Sequence, residues 1–552
     1  MEITMKRILV AALAACILIG GPAMAQGDAP LSAAESDPVA MGWMQGHPPP
    51  EDKVIRFTDP DYFAFPKLRW TVCHFRELMP TVAVPRGPAG FRPLPRALDP
   101  ALDAVTFEPL DGGKAMTWDE AFDANYTDGV IVLHRGRVVY ERYAGCLDED
   151  TLHGAMSVTK SLTGLAAEAL VADGILDDAA LVVDIVPELK GSAFGDATVR
   201  EVMDMTTALD YSEDYADPEA DVWTFARAGS PLPPPEGYDG PRSYYAFLPA
   251  VEKEGEHGQA FGYRTPNADA LGWIVARATG ADVADWLAAN VWSRIGAERE
   301  SFYTVDSIGT PFAGGGFNAA LRDMARLGQM ILDGGQVGGE QVIPAAAIES
   351  IRAGGDRDAF ARSGYDDLDG WSYRGMWWVT HDDHGAFAAR GVHGQTIWID
   401  PMADMVIVRF ASHPVAANGA NDPTSLPAYR AVAEHLMAQG NGNAALTGGE
   451  WRIESIAGRA VIEGSPAHLV FLPDGRVAGD ASCNRIIGSY EASKDALSID
   501  APGTTMMACP DALMEQERRL LGLLPTIEGY VIDETGALVL RTTDGTTIIA
   551  RR

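Results

Sequence analysis

Hydrophobic periodicity changes twice along this chain, and the order of the changes leaves few architectures open. A strand pair comes first. Val130-Ile131-Val132-Leu133-His134, a turn at Arg135-Gly136 and then Arg137-Val138-Val139-Tyr140-Glu141-Arg142-Tyr143 have the pattern of a β-hairpin. A helical middle follows. Residues 157–173 predict a helix closed by Gly174 just past its end. Residues 175–300 read as mostly helical and loop-rich, with a proline break at Pro231 and Pro233-Pro234-Pro235. Residues 319–332 predict another helix with Asn318 as its N-cap. After Trp371 the period of strands returns: residues 376–380, a turn at Asp382-Asp383-His384-Gly385, residues 396–399, a turn near Pro401, and residues 406–410, before a closing helix over 431–439. Strands at both ends with helices between predict an α+β domain, its single antiparallel sheet assembled from the two ends and covered by the helices.

The chain has 552 residues, 47% hydrophobic and 22% charged, material for two to four domains at roughly 100–200 residues each. That excludes a disulfide-stapled miniprotein, a coiled coil and a disordered tail. The strand–helix–strand pattern occupies residues 101–440. Residues 26–100, rich in Pro, Gly and Ala around Trp70, Phe75 and Arg76, read as an irregular N-terminal wrap of that domain. Gly440-Asn441-Gly442-Asn443 and Thr447-Gly448-Gly449 mark a flexible linker, 441–449. Residues 450–552 predict a second, mostly β domain, with short runs at 469–472, 486–490, 537–540 and 546–549, a turn at Pro473-Asp474-Gly475 and one helix over 512–524.

Residues 1–25 read as a secretory leader: Lys6 and Arg7, an apolar run over 8–19, and Ala23-Met24-Ala25 flanking a cleavage site before Gln26. The expected location is periplasmic or cell-envelope. Leu13-Ala14-Ala15-Cys16 matches a lipoprotein-processing box, the alternative being a lipid anchor at Cys16. No later segment approaches 18 uncharged apolar residues, so no transmembrane segment is expected in the mature chain. With 43 Lys+Arg against 77 Asp+Glu, the formal charge of −34 repels phosphate backbones and argues against a nucleic-acid partner. Without the leader four cysteines remain, Cys73, Cys146, Cys483 and Cys509, with no C-x-x-C and no zinc spacing.

The sharpest local signal is Ser157-Val158-Thr159-Lys160. Residues three apart share a helix face, so Ser157 Oγ and Lys160 Nζ can meet. A serine hydroxyl is a weak nucleophile until a base takes its proton, and a lysine kept neutral by burial can be that base. The helix N-terminus adds free N–H groups that favour developing negative charge. The competing reading is a serine N-cap followed by a solvated lysine. Other candidates carry less. His381-Asp382-Asp383-His384 offers metal ligands but falls in a predicted turn, and no metal is expected. Gly314-Gly315-Gly316 lacks the Gly-Lys-Ser/Thr of a phosphate loop. No G-x-S-x-G nucleophile elbow occurs.

Ala155-Met156-Ser157-Val158-Thr159-Lys160-Ser161 and the helix after it resemble serine hydrolases of the penicillin-recognising (β-lactamase) superfamily, within it the class C-like esterases and the 6-aminohexanoate-dimer hydrolase group. The likeness extends to Asp204-Met205-Thr206, Tyr211-Ser212-Glu213-Asp214-Tyr215, Phe261-Gly262-Tyr263-Arg264-Thr265-Pro266-Asn267 and Gly391-Val392-His393-Gly394-Gln395, roughly residues 60–440. The resemblance implies a helix-flanked antiparallel sheet with an all-helical subdomain. It implies Ser157 as acylated nucleophile, Lys160 as its base and Tyr263 as proton shuttle. The N–H of Ser157 and one near Gln395, beside His393 and Gly394, would form an oxyanion hole, and Tyr215 would hold the substrate. A buried Tyr with a satisfied hydroxyl is an equal reading of Tyr215, as a strand-edge polar residue is of His393. Val392-His393-Gly394 stands where lactamases carry Lys-Thr-Gly, and Thr265 where they carry Asn. Both departures favour a small-molecule ester or amide substrate over a β-lactam. No cofactor is implied.

Residues 450–552 resemble the META domain of bacterial envelope proteins through Trp451, Phe471, Asp474-Gly475, Gly479, Cys483-Asn484-Arg485, Gly488, Thr505-Met506-Met507-Ala508-Cys509 and Met514-Glu515. The resemblance implies a Cys483–Cys509 disulfide; Cys73–Cys146 is a second possible pair. The leading function is an exported serine hydrolase. The alternative is a catalytically idle envelope protein that binds a cell-wall peptide or small ligand in the same cleft.

Overall fold

The computed structural model describes residues 30–552 apart from 89, 216, 235, 445, 448, 473–474, 494–495, 501–502 and 534. The expected leader, Cys16 and the Pro473-Asp474 turn lie outside the described residues. The chain divides into two compact units at Val432/Ala433.

The first unit is built on a seven-stranded antiparallel sheet of β1 (Thr127–His134), β2 (Arg137–Tyr143), β3 (Ser372–Arg374), β4 (Trp377–Val379), β5 (Phe387–Gly391), β6 (Gln395–Asp400) and β7 (Met405–Ala411), in the order β3-β4-β5-β6-β7-β1-β2. The two ends of the segment meet at β7 and β1, where Val408 pairs with Ile131 and Val406 with Leu133. Successive side chains point to opposite faces. Ile397, Ile399, Val406 and Val408 therefore enter the main core, which packs against α1 (Val158–Ala172) and α3 (Leu321–Leu332). Trp398 and Arg409 turn the other way, towards Tyr429 of α4 (Asp422–Ala444). Between the sheet halves lies the helical middle, with α2 (Pro266–Thr279) against α1.

Several elements depart from the sequence expectation. Strand β5 was not expected, because Ala388, Ala389 and Arg390 carry little strand preference. It forms because it is buried between β4 and β6. Asn318 does not cap a helix: it lies in strand Phe317–Ala319, its Nδ2 donating to Gly316 O at 2.9 Å, and α3 starts at Leu321 behind Ala320. Helix α4 begins at Asp422, nine residues before the expected 431, and runs to Ala444, over four of the nine residues of the expected linker. Pro427 cannot bond the carbonyl of Pro423, and Leu110 N supplies that bond at 2.9 Å.

The N-terminal wrap is less irregular than expected. Thr81–Val84 joins Ser301–Thr304, Phe317–Ala319 and His153–Gly154 in a four-stranded sheet. Buried Arg69 ties the wrap to the body through Asp128 Oδ1 (3.1 Å) and Ser412 Oγ (3.1 Å), and Cys73 is joined to Cys146.

In the second unit, Glu450–Ile456 pairs with both His468–Phe471 and Thr547–Arg551, closing the strands into a barrel. Trp451, Leu469, Phe471, Leu520 and Ile548 form its core, with Leu520 supplied by helix Asp511–Leu523. Cys483 is joined to Cys509. Glu517 accepts from Cys483 N (3.0 Å) and Asn484 N (2.7 Å), pinning that turn to the helix. Among the described residues no helix is long and apolar enough to cross a membrane.

Helix α1 is buried on every side from Val158 to Leu170, so its position is set by contact. Gly164 marks the closest approach: a Cβ there would lie 1.9 Å from Gly375 O. Ser161 Oγ donates to Met376 O (2.7 Å) and Trp377 Nε1 to Ser161 O (2.9 Å) on the same face. Gly164→Ala gains helix propensity of about 1 kcal/mol but forces two backbones apart, and overpacking of this kind costs typically 1–3 kcal/mol. Urea unfolding should show a net loss of stability; a variant at least as stable as the parent would refute the contact.

Candidate active site

Ser157 sits where strand His153–Gly154 passes into α1. The approach is bent, with Met156 at φ 48°, a left-handed conformation disfavoured for L-residues by about 1–2 kcal/mol. Neighbouring bonds hold it. Ala155 N donates to Phe317 O at 2.8 Å, while Thr159 Oγ1 donates to Met156 O at 2.6 Å and accepts from Phe317 N at 3.1 Å. The Ser157 hydroxyl makes no capping bond to the helix. It accepts instead from Lys160 Nζ at 2.9 Å. The competing reading, a cap followed by a solvated lysine, does not describe this turn.

Lys160 is 1% exposed. Its amine also donates to Gly314 O at 2.6 Å and lies 5.2 Å from the centre of the Tyr263 ring. Burial pushes the amine down to about 8, against the carboxylates of Glu213 and Asp269, which hold it up. Tyr263 completes the cluster. Its ring stacks on Trp378 of β4 (5.7 Å between centres) and meets Tyr373 edge-on (6.3 Å). Burial and the Glu213 charge hold its hydroxyl well above the usual phenol range, opposed by a hydrogen bond with Ser157 and by Arg390. The phenol is therefore protonated near neutral pH. The structure thus brings one hydroxyl between an amine whose hold on its proton burial weakens and a phenol that keeps its proton, an arrangement suited to moving a proton off the serine and onto a departing group.

Tyr215 stands beside this cluster through Glu213. Its hydroxyl donates to Glu213 Oε1 at 2.9 Å, and the same carboxylate accepts from Thr265 N (2.6 Å) and Thr265 Oγ1 (2.5 Å). Thr265 is thereby engaged with Glu213, two residues beyond Tyr263.

The block from 391 to 395 is arranged differently from its sequence reading. Gly391, at the end of β5, closes on Ser157: a Cβ there would lie 2.9 Å from both Ser157 N and Ala155 O. The side chains after it turn into the body. Gln395 Nε2 donates to Ala411 O (2.6 Å) and Val392 O (3.1 Å), and its Oε1 accepts from Ala411 N (3.0 Å). His393, at φ 62°, is buried with Nδ1 bonded to His413 O at 2.7 Å and its ring edge-on to Phe63. Burial pushes it down to about 4, so it is neutral at physiological pH. Gly394 O accepts from Arg409 Nε at 2.9 Å. These bonds fix the turn rigidly; any contribution towards Ser157 comes from its backbone.

The 381–384 segment holds no common ligand set. His381 bonds Ser372 Oγ, Asp383 pairs with Arg430, and His384 Nδ1 meets Asp400 Oδ2 at 2.6 Å. Glu213, Gly391 and Asp269 are the site residues that the sequence reading gave no role. Only Asp269 left an independent trace, as an acid inside the otherwise apolar stretch 268–275 of α2.

Comparison with known proteins places the chain in a family. The beta-lactamase family profile matches residues 120–427, and the META domain profile matches residues 444–552. A 6-aminohexanoate-dimer hydrolase of Paenarthrobacter ureafaciens is 36% identical over 353 residues, 63% of this chain and 86% of that protein. The solved structure of a Bacillus anthracis protein, described as a candidate 6-aminohexanoate-dimer hydrolase, superposes with a TM-score of 0.62 at 32% identity, covering 68% of this chain and 96% of that one. The chain belongs to the beta-lactamase family of serine hydrolases, is an enzyme of the hydrolase class, and carries a separate META domain at its C-terminal end.

Proposed function

We propose that this protein is an exported hydrolase that cleaves an ester or amide bond through an acyl-enzyme on Ser157. Lys160 accepts the Ser157 proton as Oγ attacks the carbonyl carbon. Tyr263 passes a proton to the leaving group and, in the second half-reaction, helps water attack the acyl ester. The oxyanion is received by the N–H of Ser157 at the start of α1 and by a backbone N–H of the turn between Gly391 and Gln395. The observation that carries this reading is the 2.9 Å contact between Lys160 Nζ and Ser157 Oγ around a buried amine.

The substrate class follows from what surrounds the cluster. Aromatic rings flank the cluster, Trp378 stacking on Tyr263 at 5.7 Å and meeting Tyr365 edge-on at 5.5 Å, and such surroundings suit an acyl chain with apolar length. The lactamase-type lysine is replaced by the Val392–Gly394 turn, whose one basic side chain, His393, is buried and neutral, so nothing in that block offers a cation to a β-lactam carboxylate. Similarity to the 6-aminohexanoate-dimer hydrolase supports a linear amide among the substrates. The leader over residues 1–25 supports export.

Three experiments test the assignment. Intact mass after exposure to a fluorophosphonate should show one adduct on the parent and none on Ser157→Ala, and Lys160→Ala should acylate about 10²–10⁴-fold more slowly. No adduct on either form would return the alternative, an envelope protein that only binds in this cleft. Because Lys160 must be neutral to act, its protonation below about 8 should make kcat/KM rise about tenfold per pH unit and then level off above that pH; a flat profile across this range would remove Lys160 as the base. Tyr263→Phe should lower amide turnover far more than turnover of a p-nitrophenyl ester, whose leaving group departs without a proton. Equal losses on the two substrates would argue against the shuttle.

A further inference from the structure

The proposed mechanism leaves two features of this site without a role: the run Gly314-Gly315-Gly316 and the carboxyl of Asp269. They meet at one peptide segment. Ala313–Gly314 passes between helices α1 and α2 and is gripped from both. From α1, Thr163 Oγ1 donates to Ala313 O at 3.0 Å and Lys160 Nζ to Gly314 O at 2.6 Å. From α2, Asp269 Oδ1 accepts from Ala313 N at 3.1 Å. Gly314 has no room for a side chain. A Cβ there would lie 2.7 Å from Thr265 Cγ2 and 2.9 Å from both Asp269 Oδ2 and Phe312 Cε2. That second carboxyl oxygen, Oδ2, is buried with no side-chain hydrogen-bond partner of its own, against the glycine whose carbonyl holds the lysine.

We propose that Asp269 is a positioning residue for the Lys160 amine, acting through the Ala313–Gly314 segment, whose Ala313 N–H it holds while the amine holds Gly314 O. A long, flexible lysine must be held within hydrogen-bond reach of the serine for proton transfer to be efficient, and its second anchor is the Gly314 carbonyl. Asp269 restrains that carbonyl by holding the N–H of Ala313, one residue before it. The carboxyl also acts on the amine through space. Asp269 and Glu213 are the acids that hold the Lys160 amine up against burial, and the Lys160 charge in turn pulls down the Asp269 acid, which burial pushes well above the usual carboxylate range. Around the amine stand Ser157 at the N-cap of α1, Asp269 from α2, Glu213 and Tyr263 from the loops before it, and Gly314 O.

This inference rests on Lys160 being the base, and the test separates the two. The full chain is titrated for the second-order rate of fluorophosphonate acylation as parent, Asp269→Asn and Asp269→Ala, with circular dichroism and thermal melting alongside. The asparagine retains an acceptor for Ala313 N but removes the charge. Its plateau rate should stay within about threefold of the parent, and its acid limb should move to lower pH, since the amine loses a neighbouring anion. The alanine removes the grip as well, and its plateau should fall about tenfold or more. The inference is overturned if the alanine variant acylates like the parent. It is equally overturned if the acid limb of the asparagine variant superposes on the parental one, the result of a purely structural acid. If the alanine variant fails to fold, the asparagine profile decides alone. A parental profile with no acid limb would instead strike at Lys160 itself, whatever Asp269 does.

Discussion

The constraint around which the first unit is organised is a primary amine removed from water. An ammonium taken into a protein interior without partners costs several kcal/mol, so the fold must surround Lys160 with acceptors or keep it neutral. It does some of each. Ser157 Oγ and Gly314 O take two of its hydrogens, while desolvation lowers its affinity for the proton. Each acceptor in turn imposes conditions. Gly314 has no room for a side chain, Asp269 holds the N–H of Ala313 before it, and α1 is buried from Val158 to Leu170, so the amine stays out of solvent.

A second set of constraints converges on the N–H side of Ser157. Strand β5 ends in a glycine pressed on that N–H, and the turn after it is tied down by buried side chains. Gln395 bonds both backbone groups of Ala411, Arg409 bonds Gly394 O, and His393 bonds His413 O. Polar residues that look available for substrate in the sequence are thus used to hold a backbone still. On the proposed mechanism these bonds would hold backbone donors in place, and preorganised donors need no rearrangement as charge develops.

Much of the fold could be read from the chain before any coordinates. The hairpin of β1 and β2, the buried helix closed at Gly174, and strands β6 and β7 follow from periods of two and 3.6 and from turn residues. What could not be read were elements whose stability comes from neighbours. β5 contains two alanines and an arginine, and it is a strand because β4 and β6 flank it. Helix α4 starts among prolines because Leu110 satisfies the carbonyl that Pro427 cannot. Asn318 follows the pattern of a helix cap, yet its backbone pairs with Gly154 and Phe302.

The same division runs through the site. Spacing alone put Ser157 and Lys160 on one helical face, since that relation is local and fixed by helix geometry. Tyr263 lies more than a hundred residues away, where no local spacing relates it to Ser157 and only the family resemblance points to it. Whether the amine is dry, and therefore able to lose its proton near neutrality, belongs to tertiary structure, because burial is a property of everything packed around a group. So do the parts played by Gly391, Glu213 and Asp269, whose effects are exerted through space or through peptides distant in sequence. The chain by itself specified which chemical groups were present and which could share a turn of helix; folding decided which of them are neutral, which are clamped, and which merely fill the interior.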